Sequence, residues 1–170
     1  NNPYVVAGAG TVGQEILDDL TGVGRVIVPI SGGGLISGVG LAIKNYHPTI
    51  EVVGVCSQHT PALYNWIQGT THPQVWDTLA EALSGEVEAG SITLDISKRV
   101  VDRAVLVTEN AIAEAMRWLI NEAGWVIEGG GATGVAALRS GLIANDGVPT
   151  AVVISGGNVD AATIRRVLAG

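Results

Sequence analysis

Three glycine-rich turns carry the residue types that could do chemistry in this chain. The first is Ser31-Gly32-Gly33-Gly34-Leu35, between an apolar run at 25–30 and a helical pattern at 35–46. Consecutive glycines let main-chain N–H groups approach an anion closely, and a following helix adds the positive end of its dipole. The chemistry this suits is phosphate binding; the bland alternative is a tight strand-to-helix turn. The turn lacks the Gly-Lys-Ser/Thr ending of a nucleoside-triphosphate loop and the spaced glycines of a dinucleotide fingerprint. The second turn, Glu128-Gly129-Gly130-Gly131, sets a carboxylate beside a backbone free to approach a ligand, or is a glycine turn carrying a solvated acid. The third, Ser155-Gly156-Gly157-Asn158, follows an apolar run at 150–154. Its serine hydroxyl can exchange one hydrogen bond with a ring nitrogen, or Ser155 and Asn158 can satisfy turn backbone. Taken together, a phosphate cradle and a hydroxyl partner describe a pocket for a phosphorylated aromatic cofactor.

The elements that must position these turns alternate. Strands are expected at 25–30, 50–55, 104–108 and 150–154. Helices are expected at 35–46, 61–68, 92–101, 109–123, 131–142 and 161–168. The helix at 109–123 has the clearest period: Ile112, Met116, Leu119 and Ile120 share a face, and Thr108 stands where an N-cap should. Near the start, Val5 and Val6 read as a brief extended piece before a helix from Thr11 to Leu20. Residues 69–92 are weakly patterned and read as loop with short elements. Apolar strands alternating with helices predict an α/β fold: a three-layer, open, mainly parallel sheet with helices on both faces. Such sheets bind ligands beyond the carboxyl ends of their strands.

Composition bounds the function. The chain has 170 residues, 47% hydrophobic and 15% charged, which excludes disorder and leaves room for one domain, or one and a fragment. A net charge of −7 with scattered basic residues argues against nucleic acid and anionic membranes as partners. The single cysteine, Cys56, rules out an internal disulfide and points to the cytoplasm. Cys56 with His59 is too few ligands for a metal site. No apolar run is long enough to span a bilayer. Opening at Asn1 without a methionine reads as a processed, cut or partial polypeptide. His47 and His72 each precede a proline and read as surface positions. Glu15, Asp18 and Asp19 read as a solvated helix face. Trp66, Trp76, Trp118 and Trp125 are candidates for an aromatic wall, with Trp118 part core and part interface and Trp125 more readily packed in the core than lining the pocket. Thr133 is expected to cap a helix.

The ordered set Val28-Pro-Ile-Ser-Gly-Gly-Gly-Leu-Ile-Ser-Gly38, Val126-Ile-Glu-Gly-Gly-Gly-Ala132 and Val153-Ile-Ser-Gly-Gly-Asn158 resembles the fold-type II pyridoxal-phosphate enzymes, in particular the threonine/serine dehydratase and serine racemase group. The opening at 3–13 and the stretch at 79–92 fit the same pattern, so the resemblance covers essentially all 170 residues. It implies a tryptophan synthase beta-like fold with pyridoxal 5′-phosphate as cofactor. The backbone N–H groups of Gly32, Gly33, Gly34 and Leu35 would hold its phosphate, the Ser155 hydroxyl would meet its ring nitrogen, Glu128 would sit beside the ring or the substrate, and Ser31 and Gly156 would be further cofactor-binding residues. It implies conversion of a 3-hydroxy amino acid, threonine or serine, to a 2-oxo acid and ammonia; racemisation of serine, or dehydration of another hydroxy amino acid, is the alternative within the group.

Two departures shape the expectation. The family's Schiff-base lysine lies in a Ser-Phe-Lys-x-Arg-Gly type motif that is absent here, as is its Ser-x-Gly-Asn-His carboxylate loop. Lys44 and Lys98 sit in helical patterns away from the glycine turns, so no catalytic residue is assigned in this chain. Residues 1–170 then read as the C-terminal part of a dehydratase, mostly its large cofactor-binding domain. A lysine-bearing N-terminal part would be the partner, and the assembly a homo-oligomer. The second departure is at the family's divalent-cation position, where Cys56 and Ala62 replace acidic ligands, so no metal is expected. A non-catalytic anion- or cofactor-binding module is the competing reading from another functional class.

Overall fold

The computed structural model describes residues 2–170. Four strands form one wholly parallel sheet: β1 (Arg25–Pro29), β2 (Glu51–Ser57), β3 (Arg103–Val107) and β4 (Thr150–Val152), in the order β3-β2-β1-β4. The registers Ile27↔Val53, Val55↔Val105 and Ile27↔Val152 fix the pairing. Alternate strand residues enter two separate cores, as the two-residue period of a strand requires. Val26, Val28, Val52 and Cys56 pack on one face with α2 (Gly34–Tyr46) and with α3 (Ala62–Gln68) through Leu63. Ile27, Val53, Val55 and Val107 pack on the other with α5 (Glu109–Ala123), α6 (Gly129–Arg139) and α7 (Ala161–Ala169). This is the expected three-layer α/β sheet. Ile27, Ile36, Ile43, Ile112 and Met116 are fully buried, each stabilising the fold by roughly 1.5–3 kcal/mol.

The first segment departs from expectation. It is a single helix, α1 (Pro3–Asp19), with no extended piece at Val5 and Val6. Asn2 caps it by accepting from the Tyr4 N–H at 2.9 Å, and Pro3 takes the first-turn position that its missing N–H suits. Two β-branched residues in sequence suggest a strand, but packing of Val12, Ile16 and Leu17 against the α2 side of the sheet overrides that propensity. Glycines make the approach possible. A Cβ on Gly13 would lie 2.8 Å from the Val39 carbonyl, and one on Gly38 would run into the Val6 and Gly10 backbone.

Other boundaries shift by a turn or less. Helix α6 begins at Gly129 rather than Gly131, and ends at Arg139. Strand β4 ends at Val152, though the Val153 N–H still reaches the Ile27 carbonyl at 2.9 Å. Thr133 lies inside α6, where its hydroxyl donates to the Gly130 carbonyl at 2.9 Å, so it does not cap. Trp125 is 56% exposed rather than core, because it falls in the connection before α6. Trp118 is 38% exposed. The stretch 69–92 is loop with one 3-10 turn at Glu81–Leu83, leading into α4 (Ile92–Val100).

The amino ends of the strands are tied by charge. The Arg25 guanidinium, almost wholly buried, donates to Glu51 at 2.6 Å and to both Asp146 oxygens at 3.1 and 2.9 Å; Arg103 shares Glu51 at 3.2 Å. Beside Arg25, with help from the Val148 N–H, the Asp146 carboxyl drops from 3.8 to about 2. A carboxyl depressed by folding contributes stability that is present above its unfolded value and lost as pH falls through its folded one. The expected outcome is a thermal midpoint that falls between about pH 4 and pH 2, with a smaller fall across that window in Asp146→Asn. A second check uses the α1–α2 contact. Gly38→Ala should destabilise by about 1–3 kcal/mol in denaturant titrations through overpacking. Gly8→Ala, in open space on α1, should be neutral or stabilising by up to about 1 kcal/mol.

Candidate functional site

The strand order reverses beside β1. From β1 the chain moves to β2 and β3 on one side, then crosses to β4 on the other. In open α/β sheets the crevice outside the strand carboxyl ends at such a switch point is where ligands bind. The turn after β1 is 31–35, and the turn after β4 is 155–158. Sheet pairing alone therefore brings two of the three glycine turns side by side.

The first turn is shaped to take an anion. Gly33 is the N-cap of α2 in the left-handed region, φ +86°, and a Cβ there would meet Leu63 at 2.8 Å and Thr93 at 3.0 Å. The Ser37 N–H closes the first helical turn on the Gly33 carbonyl at 2.9 Å. The amides of Gly34, Leu35 and Ile36 precede it with no intrahelical acceptor, and no side chain caps the helix. Gly32 and Gly34 face open space on their Cβ sides. Uncapped helix amides, a left-handed glycine and an uncovered backbone together fit a phosphate. Ser31 contributes differently: its hydroxyl is turned to the Leu83 carbonyl at 3.0 Å.

The second and third turns are one unit. Glu128 is the N-cap residue of α6, but its carboxylate does not cap; it accepts from the Asn158 N–H at 2.9 Å. The Glu128 N–H reaches the Gly156 carbonyl at 3.2 Å. A Cβ on Gly156 would lie 2.5 Å from Glu128 Oε1, and one on Gly131 would lie 2.9 Å from the Gly156 carbonyl. The carboxylate is thus half-buried against the turn that carries Ser155. Ser155 itself is exposed, and its hydroxyl has no hydrogen-bond partner among the described residues.

Sequence reasoning assigned no contact to the segment that holds these turns. Residues 78–93 run across both. Leu83 receives Ser31, and the Thr93 hydroxyl donates to the Gly32 carbonyl at 2.7 Å. Leu79 packs its carbonyl against Gly129, where a side chain would collide. Glu109 anchors the near end, accepting from Ser57 Oγ at 2.6 Å, Thr78 Oγ1 at 2.8 Å and the Leu79 N–H at 2.6 Å. The sequence signal available was Ser91 ahead of a helical pattern, which marks a cap and not a contact 61 residues back along the chain.

The remaining candidates lie elsewhere. Lys44 pairs with Asp102 at 2.6 Å and donates to the Ile50 carbonyl at 2.8 Å, near the far end of α2. Lys98 stands over the Trp66 ring at 4.1 Å. Cys56 is fully buried in β2, which pushes its thiol up to about 12 and keeps it protonated and inert. His59 meets the Asp77 carbonyl through Nδ1 at 2.7 Å. Among the described residues, no three of His, Cys, Asp and Glu converge on one point. None of the helices described is long and apolar enough to cross a membrane.

Comparison with known proteins agrees with this fold. The model of the pyridoxal-phosphate dependent enzyme family matches residues 1–156. The chain is 41% identical to the L-threonine ammonia-lyase of Thermotoga maritima, over 99% of its own length and 42% of the relative's. It is 41% identical to the catabolic L-threonine dehydratase TdcB of Escherichia coli, over 98% of its length and 52% of the relative's. It therefore spans about half the length of the curated relatives it matches. Among solved structures it is similar to maize serine racemase, with a TM-score of 0.84 at 31% identity, covering 98% of this chain and 52% of that one. It is also similar to the T.th. threonine deaminase, with a TM-score of 0.83 at 32% identity, covering 94% and 59%. A match over nine-tenths of the chain places this chain in the pyridoxal-phosphate dependent enzyme family.

Proposed function

We propose that this chain is the cofactor-cradling part of a threonine or serine dehydratase. It would act with a lysine-bearing polypeptide segment to convert a 3-hydroxy amino acid to a 2-oxo acid and ammonia. The observation that carries the reading is the juxtaposition, across β1 and β4, of the uncapped Gly32–Gly34 turn with the unpartnered Ser155 hydroxyl. Names of relatives at 39–41% identity over the whole chain support the reaction class.

When bound, pyridoxal phosphate supplies an electron sink for charge that develops at a substrate's α-carbon. This chain's residues bind and orient it. The amides from Gly32 to Leu35 hold the phosphate dianion at the positive end of α2. The Ser155 hydroxyl offers the ring nitrogen a single hydrogen bond and, being a far weaker acid than a carboxyl, leaves its proton state unchanged. Gly156, where a side chain would collide with the Glu128 carboxylate, lets that carboxylate close on the turn, which it fixes through Asn158. Both lysines are engaged within the fold, Lys44 with Asp102 and Lys98 over the Trp66 ring, so neither is offered as the amine the reaction needs. That supports a lysine supplied by another segment.

The reading carries two further parts. One is a cytoplasmic setting, which suits a chain whose only cysteine is a buried free thiol. The other is homo-oligomerisation, supported by exposed apolar residues such as Tyr4, Val5 and Val126. A racemase of serine is the second reading, favoured by the 0.84 TM-score to maize serine racemase. Product analysis of the assembled enzyme separates them: 2-oxo acid and ammonia against the opposite enantiomer.

Titration of pyridoxal phosphate into the assembled enzyme, followed by absorbance, should show saturable binding. Gly33→Ala should weaken it about tenfold or more, because the left-handed backbone and the Leu63–Thr93 wall both oppose a side chain. Ser155→Ala should shift the absorption spectrum of the bound cofactor and weaken binding several-fold; an unchanged spectrum and affinity would remove the ring-nitrogen role. Binding without turnover in every reconstitution with a lysine-bearing segment would favour a non-catalytic binding module.

A further inference from the structure

The cradle has a weak point that its glycines create. A Gly-Gly peptide can flip at little cost, since glycine populates both signs of φ. A flip of the 32–33 peptide would turn the Gly33 N–H out of the cradle and put a carbonyl oxygen in its place, facing an anion. Something must hold that peptide plane.

We infer that Thr93 is the positioning residue that sets the phosphate cradle, by pinning the Gly32 carbonyl. The peptide unit is planar and trans, so its C=O and N–H point to opposite sides. Fixing the Gly32 oxygen on Thr93 at 2.7 Å therefore directs the Gly33 N–H away from Thr93. Gly33 is in the left-handed region at φ +86°, and a run of amides turned this way forms a concavity for an anion.

The Thr93 hydroxyl is itself held. It has one proton, and the Gly32 carbonyl takes it. Ser91 Oγ, 2.8 Å away, must then be the donor to Thr93 Oγ1. The relay runs Ser91 O–H to Thr93 O–H to Gly32 C=O. Both side chains are buried, Ser91 at 7% exposure and Thr93 at 3%, so water competes little for either bond. Ser91 is also the N-cap of α4, which fixes the relay to a rigid element. Gly33 completes the fit: with no Cβ it lets the Thr93 side chain close to contact distance. On this account the helix that follows a weakly patterned loop controls an anion site that no residue of its own enters.

The inference rests on the reading that the 31–35 turn binds the cofactor phosphate, and its test separates the two. Thr93→Val keeps the shape and removes the proton; Thr93→Ser keeps the proton. In the assembled enzyme, affinities for pyridoxal phosphate and for pyridoxal, which lacks the phosphate, are measured for each variant. Relaxation dispersion at the Gly33 and Gly34 amide nitrogens, recorded without ligand, reports peptide flipping on the microsecond-to-millisecond scale. Thr93→Val is expected to bind pyridoxal phosphate about tenfold more weakly, pyridoxal unchanged, with new dispersion confined to the turn. Thr93→Ser should match the parent in all three. Unaltered pyridoxal phosphate affinity in Thr93→Val overturns the inference and leaves the functional reading standing. Equal losses for both ligands, or dispersion spread through β1 and α2, overturn it in favour of a purely structural bond. A parent enzyme that binds pyridoxal but gains nothing from the phosphate overturns the reading of the turn, and the inference with it.

Discussion

The ladder between β1 and β4 is short, three register pairs and one more N–H to Ile27, yet the site hangs on it. It sets the carboxyl ends of two parallel strands side by side at the point where the chain reverses its order across the sheet. Each strand then releases a glycine turn into the same crevice. A parallel pair cannot be closed by a tight hairpin. Its two strands come from positions more than a hundred residues apart, so the crossover through α2 to α6 must be complete before the turns meet. The entropy of closing so long a loop is recovered from the two cores on either face of the sheet.

The two ends of the sheet divide the work. At the amino ends, Arg25 gathers Glu51 and Asp146, and Arg103 joins through Glu51. These charges satisfy one another and have little left to offer a ligand. At the carboxyl ends, groups are left open: uncapped amides at the start of α2 and a free hydroxyl at Ser155. The carboxylates there are engaged: Glu128 is held against the 155–158 turn, and Glu109 by Ser57, Thr78 and the Leu79 N–H. A rigid, self-satisfied base beneath an unsatisfied rim is what a preorganised site requires, because the rim groups need not reorganise when a ligand arrives.

Glycine serves two separate purposes in this chain. At Gly33 it permits a left-handed backbone in the turn. At Gly13, Gly38 and Gly129 it permits contact between one backbone and its neighbour, and at Gly156 contact with the Glu128 carboxylate, with no need for unusual dihedrals. The second use explains how α1, with glycines that weaken an isolated helix, is stable here: its backbone lies close against α2, where side-chain contacts replace the lost propensity.

Much of this was legible in the sequence, for a definite reason. Strand and helix periods, the parallel α/β class, the three glycine turns and the family resemblance all depend on local pattern. The strands at 25–30, 50–55 and 104–108 and the helix at 109–123 appear within a residue or two of expectation, since buried strands and strongly periodic helices leave the clearest traces. Val5 and Val6 misled because β-branched propensity is weak beside the burial that α2 offers a helix. Trp125 misled because its environment is set by a connection with no period. What only the tertiary structure decided was which distant groups meet. Ser31 with Leu83, Gly32 with Thr93, Glu109 with the Thr78 hydroxyl and the Leu79 N–H, and Glu128 with Asn158 join segments with no local signature of each other. A hydroxyl or a carboxylate can satisfy many partners, so the sequence names the group and the packed fold alone selects the bond.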